Sequence, residues 1–528
     1  MIKKIKLYKE PLAVFAVFFI FFLFLLAQNF SGPHDSIEYL NGILGNSPLA
    51  NQHHLLYHYA AYCWYHLWHW IFPSIRTYYI VEAFSAFWGS AGLAVIYLFF
   101  RNRFGFSGLR AVLSVMVVAF TYGFWFYSIN IEVYTPPLFF IFSCLYLLSQ
   151  KSISGKDWYL IFIFHALAIL FHQINILFLP VIVFRLWQMR KQTPWFAWIF
   201  RYAVIGVLLV GTTYFVAGWF VEKQNTSEKW ITWFLGYAKQ GGYWEPLSAK
   251  TPVNAAVGFG HAFFGGHFVF QLEPVKKILS SSLSSHSLGD EIFVSRHISS
   301  KLALVLTALC ILQVLLMAVL LIRFLFSFKK ARAAYPEALS VIIITFLIYS
   351  GFFLFWVPEI LEFWIMQTVL FWLVVLGTYN ANIFGKIKPL PVTVLAAFLL
   401  FMVNYFGTIK WMQDFNNDLY YKKVSTIKQN SQQGDFVLLQ DKWIMGGFLQ
   451  YFTDLEIDGV PSGDSSRIPM DTKIKEKLDA HKRVLLLTDT GVTQAISRDS
   501  RYMDSLRVLY NGRIRMLNKE QPAIWVIE

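Results

Sequence analysis

The chain begins with an apolar segment that runs directly into a polar one, PLAVFAVFFIFFLFLLAQNFSGPHDSIEY, residues 11–39. Its first part, 11–28, carries no charged side chain and is long enough to cross the hydrocarbon core of a bilayer. Lysines precede it, and no small-residue cleavage site follows, which predicts a retained signal anchor. The second part places Asp35 and Glu38 where this helix would meet water. Ionisable groups at a membrane boundary are costly and are often functional, so this stretch is the candidate active site.

The composition extends this prediction to most of the chain. Hydrophobic residues make up 56% of it, aromatic residues 19% and charged residues only 14%, which excludes an ordinary soluble protein. The sequence predicts a polytopic α-helical membrane protein with about eleven transmembrane helices. Their predicted spans lie near 11–28, 78–100, 111–129, 136–149, 158–172, 174–188, 202–220, 302–326, 339–357, 362–379 and 390–409.

The net charge of +14 is distributed among short loops and does not form a nucleic-acid-binding patch. Basic residues fall in alternate loops, whereas the loops around Glu132, Gln173 and Glu359 contain no Lys or Arg. By the positive-inside rule this pattern predicts a multi-pass protein with a cytoplasmic N-terminus. The plasma (inner) membrane is the expected location by default. The outer loops 29–77 and 221–301 and the tail would then be extracytoplasmic.

The composition changes near residue 411. Short apolar runs of strand length lie at 435–440, 483–488, 513–517 and 523–527, and helix-like stretches lie near 442–452, 471–481 and 491–499. This pattern predicts two domains: a transmembrane catalytic domain, 1–410, and a small extracytoplasmic α/β domain, 411–528. The second contains no glycine-rich phosphate motif and no nucleophile elbow.

Acidic and imidazole side chains recur at the outer ends of the predicted spans. Sugar transfer from a polyprenyl phosphate needs a carboxylate to remove the proton of the attacking hydroxyl. The phosphate is already a good leaving group and needs hydrogen-bond donors or positive charge rather than a second acid. Asp35 suits the base, and the histidines of the outer loops suit the phosphate.

Four short motifs, in this order and on one side of the membrane, resemble the GT-C membrane glycosyltransferases. His34–Tyr39 resembles the first-loop acidic motif of the bacterial protein O-mannosyltransferase-like branch, and Glu132–Tyr134 resembles its Ala-Glu-Val-Tyr element. His172–Asn175 resembles the histidine-rich end of an outer span. Trp356–Trp364 resembles a Trp-x-Pro…Glu-Phe-Trp element of related transferases.

The resemblance implies an inverting glycosyltransferase of hexosyl- or mannosyl-transferase type, active on the extracytoplasmic face. Its donor would be a polyprenyl-phosphate sugar and its acceptor a hydroxyl on protein, lipid or glycan. Asp35 would be the base, and Glu38 and Glu132 would position the acceptor or a divalent cation, Mg²⁺ or Mn²⁺, whose ligands stay open. The candidate substrate-binding residues are His34, His53, His54, Tyr134, His172, Gln173, His267, Glu359 and Glu362.

A transporter or flippase for a lipid-linked or anionic substrate is the alternative. Such a protein would place ionisable groups near mid-membrane and would often repeat its halves. Here the acids gather at one predicted surface and the sequence has no evident repeat, which favours the transferase.

Overall fold

The structure is a computed structural model that describes residues 2–47, 49–239, 243–282, 288–379, 388–440, 442–461, 463–488, 497–519 and 522–528. The chain divides into two compact units. The first unit contains Met1–Leu26, Pro48–Gly266 and Leu304–Lys410, and the second contains Ala27–Ser47, His267–Ala303 and Trp411–Glu528. The residues from 411 onward are therefore grouped with two earlier segments, one of which carries Asp35.

Helices dominate the described residues. In chain order the α-helices are α1 (Ile2–Leu23), α2 (Ser36–Ile43), α3 (Leu55–Ile71), α4 (Thr77–Leu98), α5 (Gly108–Ala119), α6 (Tyr122–Ile129), α7 (Thr135–Leu148), α8 (Gly155–Phe171), α9 (Leu179–Gln188), α10 (Trp195–Gly206), α11 (Thr212–Val216), α12 (Ser227–Leu235), α13 (Thr251–Phe263), α14 (Glu273–Ser282), α15 (Gly289–Ser295), α16 (Ser300–Ala334), α17 (Pro336–Phe353), α18 (Ile365–Gly377), α19 (Pro389–Gly407), α20 (Leu419–Asn430), α21 (Trp443–Phe452), α22 (Asp464–Asp479) and α23 (Ser497–Leu509).

Among the described residues, five helical segments are long and apolar enough to cross a membrane: Thr77–Arg103, Trp195–Val221, Ser300–Ala334, Pro336–Phe353 and Pro389–Gly407. A sixth span results if α5 and α6, which meet at 77°, count as one broken helix. Each of the eleven predicted apolar runs contains helix. Several of these helices, such as α7 and α18, are short for a straight span. The structure therefore supports a membrane protein, and the count of eleven spans stays a prediction.

The bend between α5 and α6 is fixed by hydrogen bonds in the first unit. The buried amide of Asn404, in α19, donates to the carbonyl oxygens of Phe120 at 2.8 Å and Phe263 at 2.9 Å. The indole nitrogen of Trp372 donates to Thr121 Oγ1 at 3.0 Å. Buried carbonyls freed at a helix break need donors, so the bond to the Phe120 carbonyl stabilises the bend, and Trp372 adds a contact to the side chain of Thr121. The direction of α6 after the bend sets the position of the loop that follows it, which contains Glu132.

Close packing of α13 against the segment before α18 gives a direct stability test. A methyl group at Gly258 would lie 2.7 Å from Trp364 Nε1 and closer still to the Pro358 carbonyl oxygen. Gly258→Ala is therefore expected to destabilise the protein by about 1–3 kcal/mol, seen as a lower thermal-unfolding midpoint. Gly260, in the same helix, has no neighbouring atom within 4 Å of such a methyl group. Gly260→Ala should leave the midpoint unchanged or raise it, and equal losses in both variants would contradict the packing explanation.

The second unit contains a five-stranded mixed sheet. The strands are β1 (Phe436–Leu439), β2 (Glu456–Gly459), β3 (Val484–Thr488), β4 (Ile514–Asn518) and β5 (Ala523–Ile527). Their order is β2-β1-β3-β5-β4, with β1 parallel to β2 and β3, and with β5 antiparallel to β3 and β4. Every residue of β1 is buried, as expected for a central strand covered on both faces.

The sheet has its own apolar core. Phe436, Val484 and Ile527 pack with Ile474 of α22 and Leu506 of α23. Four of the strands lie where the sequence predicts them. The strand β2 was not predicted because Glu456 and Asp458 make it polar, and all four of its residues are exposed or half-buried. Most of the helix predicted at 491–499 lies outside the described residues.

Candidate functional site

The acidic motif lies in the second unit and begins with a turn that the protein holds from several sides. Asn29 Oδ1 accepts a hydrogen bond from the backbone N–H of Gly32 at 2.8 Å. Asp418 Oδ2 accepts from the N–H groups of Phe30 at 2.6 Å and Ser31 at 3.1 Å. The turn ahead of Asp35 is therefore fixed by the local side chain of Asn29 and by Asp418, which is distant in the sequence.

Asp35 immediately precedes α2, and Glu38 lies in the first turn of that helix. Asp35 is half-buried and accepts a hydrogen bond from the Tyr39 hydroxyl at 3.2 Å. Burial raises the pKa of Asp35, and the hydrogen bond from Tyr39 opposes that rise. Glu38 is exposed at the surface, but desolvation and the nearby charge of Asp35 raise its pKa, while a hydrogen bond from Trp443 lowers it. A carboxylate with a raised pKa is a stronger base than a free one, and the role of Asp35 as the base stays a prediction.

A second pair of carboxyl groups supports the turn, and the sequence did not predict it. Asp290 Oδ1 accepts from Asn29 Nδ2 at 3.4 Å, and its other oxygen would lie 3.4 Å from a methyl group placed on Gly32. Burial, followed by the negative charge of Asp418, raises the pKa of Asp290 well above its usual range. Asp418 shows one sequence signal, because an aspartate directly before a helix-forming run is typical of an N-cap. Its side chain accepts from the backbone N–H of Tyr421 at 2.8 Å.

Two predicted histidines also lie in the second unit. His34 is half-buried next to Asp35 in the chain. His267 is buried and begins the 3₁₀ segment His267–Gln271, which packs against α15. Their assignment as substrate-binding residues stays a prediction.

The remaining candidates lie in the first unit, several of them around a cavity of about 40 Å³. We refer to it as the first cavity. Its polar lining includes three predicted residues, Tyr134, His172 and Glu362, and two that the sequence did not single out, Asn175 and Tyr349. The rest of its lining is apolar: Pro137, Leu138, Ile174, Phe353, Phe363, Ile365 and Met366. Ligand sites combine a few polar groups with an apolar lining in the same way, but they usually enclose about 300–1,000 Å³, so this cavity has room for a small group alone.

Aromatic and imidazole rings connect these residues. The Tyr127 hydroxyl donates to Glu362 Oε2 at 3.3 Å, and its ring lies edge-on to Tyr134 at 5.0 Å between centroids. The Tyr134 ring lies 5.3 Å from His172, which in turn meets His54 at 4.5 Å. The fold thus brings together side chains from four separate stretches of the sequence.

His53 and Gln173 join the same cluster through the backbone. Gln173 N–H donates to the His53 carbonyl at 2.9 Å, and Gln173 Nε2 donates to the Phe234 carbonyl at 3.0 Å. Burial lowers the pKa of His53 to about 4. Burial, and then the neighbouring imidazoles of His172, His53 and His58, lower the pKa of His54 as well. Both rings are therefore neutral at pH 7 and offer N–H donors rather than positive charge.

Glu132 and Glu359 are both buried, at 3% and 8% exposure. The Ser85 hydroxyl donates a hydrogen bond to the Glu132 carbonyl oxygen at 3.3 Å. The Glu132 carboxylate accepts from Val133 N–H at 3.2 Å. Glu359 lies in the loop between α17 and α18. In the described parts of the chain, no group of three or more His, Cys, Asp or Glu side chains is arranged to hold a metal ion.

Comparison with known proteins gives only distant structural likenesses. No protein-family model matches the chain, and no curated protein sequence matches it. The crystal structure of ArnT from Cupriavidus metallidurans bound to undecaprenyl phosphate aligns with 98% of this chain and 97% of its own, at 11% identity and a TM-score of 0.47. The apo form of ArnT from the same organism aligns with 98% and 96%, at 11% identity and a TM-score of 0.45. These TM-scores are too low to establish a shared fold, so the functional assignment depends on the chain's own residues.

Proposed function

We propose that the protein is an integral membrane glycosyltransferase that moves a sugar from a polyprenyl-phosphate donor to a hydroxyl acceptor with inversion. The observation that carries the proposal is the burial and raised pKa of the Asp35 carboxyl group. This half-buried residue follows a turn that Asp418 holds in place. The resemblance of the motif around it to the first-loop motif of GT-C enzymes adds support.

In the proposed reaction the Asp35 carboxylate removes the proton of the acceptor hydroxyl as its oxygen attacks the anomeric carbon. The new C–O bond forms on the face opposite the phosphate, and the bond between the sugar and the phosphate oxygen breaks. The electron pair leaves with the phosphate, which needs no proton. Asp35 then returns its proton to water.

Independently of Asp35, we propose that the first unit offers the neutral imidazoles of His54 and His172 and the Tyr134 hydroxyl as hydrogen-bond donors to an anionic group of a ligand. Neutral donors aimed at developing negative charge stabilise it when water is excluded. Glu362 and Glu132 carry the wrong charge for a phosphate, and acceptor hydroxyls or a cation suit them better.

The test is transfer from a panel of radiolabelled polyprenyl-phosphate sugars in membranes that contain the wild-type protein. Transfer of label to a hydroxyl acceptor from at least one donor is the expected result. Parallel reactions with EDTA, Mg²⁺ and Mn²⁺ determine whether a divalent cation takes part. If label crosses the membrane on intact donor and no sugar is transferred, the proposal is wrong and the transporter or flippase alternative gains support.

The pH dependence of transfer follows from the pKa of Asp35. The base must be ionised, and its pKa lies above the ordinary 3.8. The rate kcat/KM is therefore expected to be high at neutral pH and to fall as the pH drops through that raised value. A pH–rate profile measures the effect. An acidic limb at or below 3.8 would contradict the assignment of Asp35 as the ionising group.

A further inference from the structure

A second cavity, of about 350 Å³, lies at the far end of two helices that also reach the first cavity. Tyr134, beside the start of α7, lines the first cavity, and Ser149, just beyond its end, lines the second. In α17 the order is reversed, since Tyr335 lines the second cavity and Tyr349 the first. The second cavity therefore opens at the opposite end of the helix bundle. Its lining residues are Asn102, Arg103, Ser149, Gln150, Lys151, Ser152, Ala334, Tyr335, Glu337 and Ala338.

Two nitrogens of the Arg103 guanidinium bond to neighbouring protein groups, and the third, Nη1, is available to a ligand. Its Nε donates to Ser149 Oγ at 2.9 Å, and its Nη2 donates to the Tyr146 carbonyl at 3.0 Å. The guanidinium carbon lies 4.2 Å from the centre of the Tyr146 ring. Within the described residues Nη1 has no hydrogen-bond partner. A positioned guanidinium with free N–H donors is suited to phosphate oxygens.

Two further donors lie beside Arg103. Lys151 and Ser152 are exposed, and in the described part of the chain neither side chain has a hydrogen-bond or ion-pair partner. Glu337 is the acidic residue of the lining, and its charge interacts with that of Arg185. Asp157 likewise interacts with Arg103. The lining itself carries two basic residues, Arg103 and Lys151, and one acidic residue, Glu337, so the site favours an anion.

The surface next to the cavity favours a lipid over a soluble anion. The last turns of α16 expose Leu325 (60%) and Phe326 (68%), followed by the exposed Lys329 and Lys330. Ala334, at the end of that helix, lines the cavity. Acyl chains could lie on the apolar part of α16 while a head group enters the basic recess, as basic pockets between membrane helices commonly allow.

We propose that the second cavity binds the phosphate of an anionic phospholipid through Arg103 Nη1, the Lys151 ammonium and the Ser152 hydroxyl. This site lies apart from the first cavity and does not depend on the proposed glycosyltransferase activity. It assigns a lipid-binding role to Arg103, in the π-helical turn that continues α4, and to Lys151, in the loop after α7; the proposed reaction uses neither.

The experiment is native mass spectrometry of the full-length protein, delipidated in detergent and titrated with phosphatidylglycerol or phosphatidylcholine. The wild type is expected to retain phosphatidylglycerol preferentially. Lys151→Gln should weaken that binding about fivefold, the effect of one basic residue near a charged lipid surface. Ala334→Phe fills the recess without removing a donor and should abolish the preference. The matched control is Lys156→Gln, an exposed lysine outside the lining, which should bind as the wild type does.

Three outcomes would overturn the proposal. Equal binding of the two lipids by the wild type would show that no anionic head group is selected. Equal losses in Lys151→Gln and Lys156→Gln would indicate general surface charge instead of a site. In the third arm inorganic phosphate replaces the lipid, and binding of phosphate without a preference for phosphatidylglycerol would assign the cavity to a soluble anion. Thermal unfolding of each variant confirms that it is folded.

Discussion

Asp35→Asn is expected to lower the rate of sugar transfer by about 10²–10⁴-fold, the usual contribution of a general base. Asparagine has the same size and can still accept the hydrogen bond from Tyr39, but it cannot take a proton at neutral pH. The fold should therefore persist while the chemical step fails. Initial rates in membranes with matched protein levels, at saturating and limiting donor, measure the loss and show whether it falls on kcat.

The matched control is Asp454→Asn, which changes an exposed aspartate elsewhere in the second unit. It should transfer at the wild-type rate. Glu38→Gln should reduce the rate less than Asp35→Asn, because Glu38 is exposed and its proposed role is positioning. If the Asp35→Asn variant keeps the wild-type rate, Asp35 is not the base. The transferase assignment would then depend on the experiment with the panel of radiolabelled donors.

Asp418→Ala is expected to cost more than about 3 kcal/mol of stability. Its carboxylate accepts hydrogen bonds from the N–H groups of Phe30, Ser31 and Tyr421 and from the Ser31 hydroxyl. Each buried donor left without an acceptor costs about 1–3 kcal/mol, and loss of the helix cap adds about 1 kcal/mol. A lower midpoint of thermal unfolding in detergent measures the effect.

Asp414→Ala provides the comparison. Asp414 also caps a short helix, with its carboxylate 2.9 Å from the N–H of Asn416, but this hydrogen bond is exposed. Water can replace that bond, so we expect a loss below about 1 kcal/mol. If the two variants unfold at the same temperature, the buried contacts of Asp418 do not carry the stability that we assign to them.

Periodicity and composition were enough to predict most elements. Long apolar runs become helices because a helix satisfies its own backbone polar groups, and the strands β1 and β3 follow from continuous apolar runs. The short strand β2 escaped prediction because Glu456 and Asp458 make it polar, and it forms through pairing with β1. Boundaries within the apolar runs, such as the bend between α5 and α6, depend on distant donors like Asn404.

The sequence predicts which residues belong to the candidate site. It does not predict the side chains that contact them from distant parts of the chain. The position of Asp35 just after the first apolar run predicts it as a site residue, and the motif resemblance predicts Tyr134 and His172. The supporting Asp290 lies more than two hundred residues from the acidic motif, so no local pattern connects them. The same is true of Tyr349, whose hydroxyl donates to Asn175 Oδ1 at 3.2 Å. Such contacts arise only when the chain folds.

Asp418 accepts hydrogen bonds from the turn at Phe30 and Ser31. These contacts limit how this protein can be divided. The composition change near residue 411 suggests a natural place for a stop codon, and a chain ending there would retain all eleven predicted transmembrane runs. It would nonetheless lose the acceptor of two buried backbone N–H groups directly ahead of Asp35. The acidic motif and the C-terminal residues thus belong to one compact unit, and we expect a chain that ends near residue 411 to lose the ordered turn ahead of Asp35.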